Sequence, residues 1–346
     1  MRFVFISIFA LFFINLPAQD VNFSQSYVSG TYLNPALSGM FNGFVRVSSL
    51  YREQGRGGID SPFKTYAIAS DIRYKFNIFN KFSEDILGIG LYFLNDRVEL
   101  YDFNTNSIQL SLAFHKSLGF RMKQYLGVGF QAGILQKNIN FENLTFEDMF
   151  NKVDAYSFPT SEPVPSNNFA VGDISLGIYY TITPSKNLTA SAGFAYNHFA
   201  QPEISFYRTE ENFENSSKLY PKFTFHANID TKFAAFSRIQ PRIKIVKQGP
   251  FEDYMVGANY KFSSFDKDYL SLHLGVNLHG IKDLDGYSIG PVVPIVGMQV
   301  KNFMIGFSYD VVMTHIANTR KNLNTFEFTL SYLGEIEDEG LICPQF

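Results

Sequence analysis

The chain of 346 residues carries 29 Lys and Arg against 32 Asp and Glu, a formal net charge of −3, with 38 Phe, 20 Tyr and no Trp. This near-balanced charge provides no basic surface for phosphates, so we expect no nucleic-acid partner. The single cysteine, Cys343, excludes an intramolecular disulfide framework and every multi-cysteine zinc or iron–sulfur site.

The first 18 residues have the outline of a secretory signal peptide. Arg2 supplies the positive charge, an apolar run extends from Phe3 to Ile14, and Ala18 is the small residue before Gln19. A membrane-spanning helix needs about twenty apolar residues, so a first transmembrane helix is the disfavoured alternative for this shorter run. Because no apolar run of eighteen residues follows, we expect an exported chain without a helical anchor.

The rest of the chain consists largely of segments about ten residues long in which apolar and polar residues alternate. Between Ser107 and His115, for example, Ile, Leu, Leu and Phe alternate with Ser, Gln, Ser and Ala, so one face is continuously apolar. A period of two is typical of a β-strand with two different faces. Fourteen strands are predicted, at residues 44–51, 63–75, 86–94, 106–116, 123–136, 169–181, 187–197, 221–232, 237–247, 252–262, 269–279, 288–300, 302–313 and 324–333.

Both a soluble β-sandwich and a transmembrane barrel would show this pattern. Strands in soluble sheets are commonly about five or six residues long, whereas a tilted strand needs about nine to eleven residues to cross a bilayer. Most of the predicted strands have the longer length, and their number is even, as in single-chain bacterial barrels. We therefore predict an all-β fold, a transmembrane antiparallel β-barrel of about 14 strands in outer-membrane lipid.

The connections between the strands support the barrel, because periplasmic turns are short and extracellular loops are longer. With both termini in the periplasm, the predicted periplasmic connections are short at 117–122, 183–186, 233–236, 263–268 and 301–302, and middling at 77–85. The extracellular connections are predicted to be long at 52–62, 95–105, 137–168, 198–220 and 314–323, with 248–251 as the exception. Short helices are expected only in long loops, for instance at 143–151.

The segments outside the strands complete the predicted organisation. Residues 1–18 are the signal peptide, 19–41 a periplasmic or plug-like segment, 42–334 the barrel and 335–346 a C-terminal periplasmic tail. Fourteen strands close into a cylinder roughly 27 Å across at the backbone, too wide for side chains to fill. Water or a plug must therefore fill the lumen. Residues 19–40 and the loop 137–168 are the two candidate plugs, against the alternatives of an ordinary leader and a surface loop.

One predicted inner face concentrates charge. Arg238, Arg242 and Lys244 alternate along one strand, beside His226 and Asp230 on the strand before it. Arg or Lys facing lipid near the midplane costs roughly 2–4 kcal/mol, so these side chains are expected inside the barrel or at its rim. They are candidates for binding an anionic partner or a peptide carboxylate. The alternative is a solvated lumen with compensating charges.

Signals for catalysis and metal binding are weak. Residues 306–310 lack the final glycine of a nucleophile elbow and fall within an alternating strand. Gly88-x-Gly90 and Gly127-x-Gly129 also fall in strands, where they suit close strand packing and not a phosphate loop. The six histidines form no helical pair with a glutamate. We therefore expect neither an enzyme nor a cofactor.

Short motifs occur in order along almost the whole mature chain, from Phe23-Ser-Gln25 and Tyr32-Leu-Asn-Pro-Ala36 to Cys343-Pro-x-Phe346. The motif residues are Tyr32, Asn34, Pro35, Tyr51, Arg52, Gln54, Asp96, Ser308, Tyr309, Asp310, Glu327, Cys343, Pro344 and Phe346. In their order and spacing the chain resembles the PorP/SprF family of Bacteroidota outer-membrane proteins, which belongs to the type IX secretion and gliding-motility apparatus. Gly55, where relatives commonly have Trp, is a departure that concerns local loop contacts.

The resemblance implies a non-enzymatic barrel that holds or delivers a secreted surface adhesin by binding the adhesin's C-terminal domain. It also implies contact with the type IX translocon and periplasmic ring lipoproteins. Extracellular loops and lumen residues such as Arg238 and Arg242 would select the cargo. Cys343 is either an unpaired tail residue or the site of a mixed disulfide or a periplasmic contact. The alternative function is a passive outer-membrane channel or hydrophobic-solute transporter.

Overall fold

Fourteen long strands form one closed antiparallel barrel in the computed structural model. The model describes residues 20–56, 61–76, 84–99, 102–119, 123–141, 144–153, 155–162, 164–206, 218–264, 270–284, 286–312 and 324–334. In chain order the strands are β1 (Val45–Arg56), β2 (Phe63–Phe76), β3 (Asp85–Val98), β4 (Phe103–Ser117), β5 (Lys123–Asn138), β6 (Phe150–Asn151), β7 (Ala155–Tyr156), β8 (Asn168–Ser185), β9 (Leu188–Asn197), β10 (Lys222–Ala234), β11 (Ser237–Gln248), β12 (Phe251–Ser263), β13 (Leu270–Asp283), β14 (Gly286–Val300), β15 (Phe303–Asp310) and β16 (Asn324–Gly334). β6 and β7 form a separate hairpin between β5 and β8, and β1 pairs with β16 to close the barrel.

The predicted fourteen-stranded barrel is confirmed, and its two faces are the reverse of those in a soluble protein. On β4, Ile108 and Leu110 are 53% and 51% exposed, whereas Gln109 and Ser111 are 1% and 0% exposed. Apolar side chains therefore cover the outside, which suits lipid, and polar side chains line the lumen. Within the described part of the chain, no helix is both long enough and apolar enough to cross a membrane.

The connections differ at the two ends of the barrel. At the end where β1 begins and β16 finishes, called here the short-turn end, the turns at 186–187, 235–236 and 301–302 have two residues each. At the opposite, loop-bearing end, the connections 139–167 and 198–221 are long.

The predicted long connection at 95–105 is wrong, because β3 and β4 pair as far as Val98 and Phe103. Asn95, Asp96 and Arg97 break the apolar alternation, yet their backbone continues the ladder, since strands that project beyond lipid need no apolar outer face. The helix expected at 143–151 is one 3₁₀ turn, Glu147–Met149, and residue 143 lies outside the described residues.

The N-terminal segment, residues 20–41, packs inside the barrel. It contains two 3₁₀ turns, Ser26–Val28 and Pro35–Leu37, and the one-turn helix α1 (Gly30–Leu33). Most of its residues are buried, and it forms hydrogen bonds with inward-facing side chains and a backbone carbonyl on strands around the wall. By contrast, the described residues of the connection 139–167 are largely exposed. The expected signal peptide and C-terminal tail lie outside the described residues.

Candidate functional site in the barrel lumen

The N-terminal segment runs along the lumen from one end to the other. Its first described residue, Asp20, contacts the side chains of Lys222 and Gln248, which lie at the loop-bearing ends of β10 and β11. Its last residues lie at the short-turn end, where the Phe41 carbonyl accepts a hydrogen bond from Arg73 Nη1 at 2.9 Å. The segment is therefore long enough to obstruct the whole length of the barrel.

A cluster of four strand residues, called here the anchor cluster, holds the first part of the segment: Arg52, Ser308, Asp310 and Glu327. The two carboxylate oxygens of Glu327 accept the backbone N–H groups of Ser24 and Gln25, each at 2.8 Å. Gln25 Nε2 donates to Ser308 Oγ at 3.0 Å, and Ser24 Oγ donates to Asp310 Oδ1 at 3.2 Å. The cluster therefore binds both the backbone and the side chains of this stretch.

Arg52 supplies the positive charge of the anchor cluster. Its Nη1 lies 2.6 Å from Glu327 Oε1 and also donates to the Asn22 carbonyl at 2.9 Å. Its Nη2 lies 3.7 Å from Asp310 Oδ2. Glu327 is fully buried, and a buried carboxylate is tolerated only when it is paired and hydrogen-bonded. The guanidinium and the two backbone donors provide that compensation.

Tyr32, Asn34 and Pro35 shape the middle of the segment. The Tyr32 hydroxyl donates to the Val21 carbonyl, which folds the segment back on itself. Asn34 is fully buried; its Nδ2 donates to the Ile178 carbonyl at 3.0 Å, and its Oδ1 accepts from the backbone of the following turn at 2.9 Å. Pro35 occupies the first position of that 3₁₀ turn, which suits its fixed φ angle and missing N–H. These residues therefore set the local shape of the segment and its contact with β8.

Two strand glycines make room for the backbone of the segment. A Cβ at Gly88 would lie 2.0 Å from the Ser38 carbonyl oxygen, and one at Gly129 would lie 2.3 Å from the Ala36 nitrogen. The expectation that these glycines serve close strand packing missed this contact. The available signal was a glycine in a strand interior, which often marks the close approach of another backbone.

The loop-bearing end of the segment is held by ion pairs that sequence reasoning also missed. Asp20 Oδ2 lies 2.7 Å from His198 Nε2 and 2.9 Å from Lys222 Nζ, and His198 Nδ1 lies 3.0 Å from Asp173 Oδ2. Burial disfavours the charged carboxylate of Asp20. The nearby His198 and Lys222 outweigh this effect and hold the pKa of Asp20 well below its ordinary value. Burial likewise opposes protonation of His198, but Asp20 and Asp173 raise the pKa of His198 to about 9. We call Asp20, His198 and Lys222 the outer latch.

The five lumen residues singled out in the sequence lie on the inner face, where four are buried and Arg238 is partly buried. His226 Nε2 lies 3.1 Å from Asn34 Nδ2, and Lys244 Nζ donates to the Asn22 side chain at 2.7 Å and to the Phe23 carbonyl at 2.9 Å. The Arg242 guanidinium stacks on the Tyr27 ring at 3.8 Å. Asp230 instead pairs with Arg238 along the wall. Three of these five side chains therefore contact the chain's own N-terminal segment.

The remaining motif residues are divided between the two faces. Gln54 Oε1 accepts from Arg52 Nη2 at 3.3 Å, and Asp96 Oδ1 accepts from the hydroxyl of Thr65 at 2.6 Å. Tyr51 lies on the outer face, where its ring packs between those of Tyr66 and Phe326. Tyr309 lies between the inward-facing Ser308 and Asp310 in the strand alternation, so it also belongs to the outer face. Cys343, Pro344 and Phe346 lie outside the described residues.

This arrangement is built for holding a peptide segment. Among the described residues, no group of three or more His, Cys, Asp or Glu side chains could hold a metal ion. The polar groups that converge in the lumen bind backbone carbonyls, backbone N–H groups and short side chains. These contacts therefore recognise a peptide segment through its backbone and its short side chains.

Comparison with known proteins gives one family. The family model described as "Type IX secretion system membrane protein PorP/SprF" matches residues 15–332 of the chain. The comparison with curated proteins found no match to the chain.

Among solved structures, the chain is similar to a TodX deltaS2S3 mutant monoaromatic hydrocarbon channel, with 12% identity over 88% of this chain and 93% of that chain and a TM-score of 0.47. It is similar to a FadL homologue of Pseudomonas aeruginosa, with 9% identity over 88% of this chain and 93% of that chain and a TM-score of 0.47. It is also similar to the toluene transporter TbuX of Ralstonia pickettii, with 9% identity over 89% of this chain and 93% of that chain and a TM-score of 0.47. Likeness at this level transfers neither substrate nor activity to this chain.

Proposed function

We propose that this chain, which belongs to the PorP/SprF family of type IX secretion membrane proteins, is an outer-membrane barrel that holds or delivers a secreted surface adhesin. It would do so by binding the C-terminal domain of the adhesin. The observation that carries the proposal is the N-terminal segment, which occupies the lumen and is tied to the wall by Glu327, Arg52 and Lys244. A barrel filled in this way is better suited to a protein partner at its rim than to free passage of solutes.

The loop-bearing end is where the adhesin would first make contact. The connections 139–167 and 198–221 are the two longest at that end, and many of their described residues are exposed. His226, Arg242 and Lys244 contact the N-terminal segment, so a partner would reach them only after the segment moves. The short-turn end and the C-terminal tail would face the periplasm, where the type IX translocon and the ring lipoproteins are the partners we expect. In a gliding organism the same attachment would anchor a motility adhesin.

Co-purification tests the proposal directly. The tagged full-length protein, extracted in mild detergent, should recover a very large secreted protein. A variant in which residues 144–162 are replaced by a Gly/Ser linker of equal length should lose that protein. A matched variant with the 186–187 turn replaced by Gly-Ser, at the short-turn end, should retain it. Deletion of the gene should release the adhesin into the medium, and an unchanged amount of adhesin on the cell surface would contradict the proposal.

Planar-bilayer recording separates the proposal from the alternative of a passive channel. The purified full-length protein should give little steady current, because residues 20–41 fill the lumen. Large and constant single-channel steps from the unaltered protein would instead favour a channel for small or hydrophobic solutes.

A further inference from the structure

A cavity of about 390 Å³ lies between the start of the N-terminal segment and the wall at the loop-bearing end. We call it the outer chamber. Its lining includes Phe63 and Phe251, the first residues of β2 and β12, which places it at the loop-bearing end of these strands. Four carboxylates line it: Asp20, Asp96, Asp253 and Asp310.

Positive charge in this lining is scarce. Arg52 is its one Lys or Arg side chain, and that guanidinium is divided between Asp310 at 3.7 Å and Glu327 at 2.6 Å. Asp96 accepts a hydrogen bond from Thr65 and forms no ion pair within 4.0 Å among the described residues. Carboxylates removed from bulk water are stabilised by a cation at short range. Asp20 is already paired with His198 and Lys222, so Asp96 is the carboxylate of the chamber that is most open to a further cation.

His279 gives an independent sign of a ligand. The side chain lines the outer chamber and the residue is only 9% exposed. Its Nδ1 lies 2.8 Å from Asp253 Oδ1, which makes Nδ1 the donor, while Nε2 has no hydrogen-bond partner. In the neutral ring with its proton on Nδ1, Nε2 is an acceptor, and a buried acceptor without a donor is destabilising. A ligand that carries N–H groups would satisfy it.

We propose that the outer chamber receives the guanidinium or ammonium group of an arginine or lysine side chain from a partner protein that enters at the loop-bearing end. Such a group presents several N–H donors and one positive charge, which match the Asp96 and Asp310 carboxylates and the free Nε2 of His279. A bare metal ion suits the chamber less well, because its side chains do not form a metal-binding group. That the partner is the adhesin rests on the proposed function; the preference for a cationic side chain does not.

Short peptides test the chemistry without knowledge of the partner. The probes are acetyl-Gly-Arg-Gly-amide and the same peptide with citrulline, which has nearly the shape of arginine without its charge. Calorimetry on the full-length protein in detergent should show binding of the arginine peptide that weakens with added salt. The citrulline peptide should bind at least about tenfold more weakly, as expected for the loss of a charge-assisted hydrogen bond.

Two substitutions locate the binding. Asp96→Asn should weaken binding of the arginine peptide by about tenfold or more. His279→Phe, which removes the Nε2 acceptor, should also weaken this binding. Asp102→Asn is the matched control: Asp102 lies at the same end outside the chamber, and asparagine tolerates its φ of +46°. Heat-modifiable migration on gels verifies that each variant is folded.

Equal affinity for the two peptides, or equal weakening by Asp96→Asn and Asp102→Asn, would overturn the chamber proposal. Failure to co-purify an adhesin would bear only on the proposed function, because the peptide experiment contains no adhesin.

Discussion

Glu327 is the residue that most directly positions the N-terminal segment. Both of its carboxylate oxygens accept backbone N–H groups, from Ser24 and Gln25. In Glu327→Gln one acceptor becomes an NH₂ group that opposes a backbone donor. Because each hydrogen bond to a charged group contributes roughly 1.5–3 kcal/mol, we expect the docking of the segment to weaken by on the order of 2–3 kcal/mol. Hydrogen exchange at the Ser24 and Gln25 amides, followed by mass spectrometry, should become faster.

Glu84→Gln is the matched control for this substitution. Glu84 lies at the short-turn end beside Lys75, and 48% of its side chain is exposed. Glu84→Gln removes one carboxylate charge, as Glu327→Gln does, but leaves the anchor cluster unaltered. Hydrogen exchange at the Ser24 and Gln25 amides should therefore remain as in the unaltered protein. Unchanged protection of both amides in Glu327→Gln would show that the segment is held by other contacts.

The outer latch makes the docking of the segment depend on pH. The pKa of His198 is raised from about 6.5 to about 9, so its protonated form adds stability that is complete below about pH 6.5 and is lost as the pH rises through 9. The pKa of Asp20 is lowered, so its contribution is present above about pH 4 and is lost only in acid. We expect docking to be strongest between about pH 4 and 6.5 and to weaken towards about pH 9.5. Thermal unfolding of the detergent-solubilised protein across this range measures the effect.

His198→Gln isolates the contribution of the latch. Glutamine keeps hydrogen-bonding capacity next to Asp20 and Asp173 but does not titrate. The variant should be less stable at pH 6. Its unfolding temperature should change little between about pH 6.5 and 9, whereas that of the unaltered protein should fall. A decline of the same size with and without His198 would assign the pH dependence to other groups.

At the scale of elements, the strand glycines connect the barrel wall to the segment. Gly129→Ala would place a Cβ 2.3 Å from the backbone nitrogen of Ala36, so the Pro35–Leu37 turn must shift. Such overpacking typically costs about 1–3 kcal/mol. Gly172→Ala, on the neighbouring strand β8, meets nothing within 4 Å and is the matched control. The melting temperature should fall in Gly129→Ala alone, and equal melting temperatures in the two variants would contradict the contact.

The strands could be predicted from the sequence because each carries its own local pattern. In β4 the alternation of Ile108, Gln109, Leu110 and Ser111 is enough to define a strand, its outer face and its inner face. The fourteen predicted strands all occur, with ends that move by a few residues. The end of β1 extends furthest beyond the prediction, and that of β3 also extends; at Asn95–Arg97 polar side chains interrupt the apolar alternation, yet the backbone hydrogen bonds of the ladder continue.

The path of the N-terminal segment could not be predicted in the same way. Ser24 and Glu327 are 303 positions apart, and no local period links two residues at that distance. Only the family resemblance marked out the motif residues Arg52, Ser308, Asp310 and Glu327 in the sequence. The structure brings all four together in the anchor cluster. His198 stood in a predicted loop without any pattern, so its pairing with Asp20 depends on tertiary structure alone.

At the scale of the whole molecule, the barrel is apolar on its outside, and the N-terminal segment supplies part of its inner core. One buried cluster joins Ala36, Leu37 and Met40 of the segment to wall residues such as Tyr179, and another joins Phe23 to Leu50. The mean hydropathy of −0.05, with 46% hydrophobic residues, averages the apolar outer face of the barrel and its polar inner face. Removing the segment therefore removes inner apolar packing but leaves the hydrogen-bonded strand ladder intact.

Deletion of residues 20–40 tests whether the segment closes the barrel. The strands pair with one another and not with the segment, so the shortened chain should still close, although with lower stability because buried Phe23, Val28, Leu37 and Met40 are lost. A lumen roughly 27 Å across at the backbone should then conduct ions in steady steps in a planar bilayer. Replacing residues 144–162 with a Gly/Ser linker changes a similar length of chain outside the lumen and should leave the current low. The same low current in both variants, each verified as folded by heat-modifiable migration, would mean that something other than residues 20–40 obstructs the barrel.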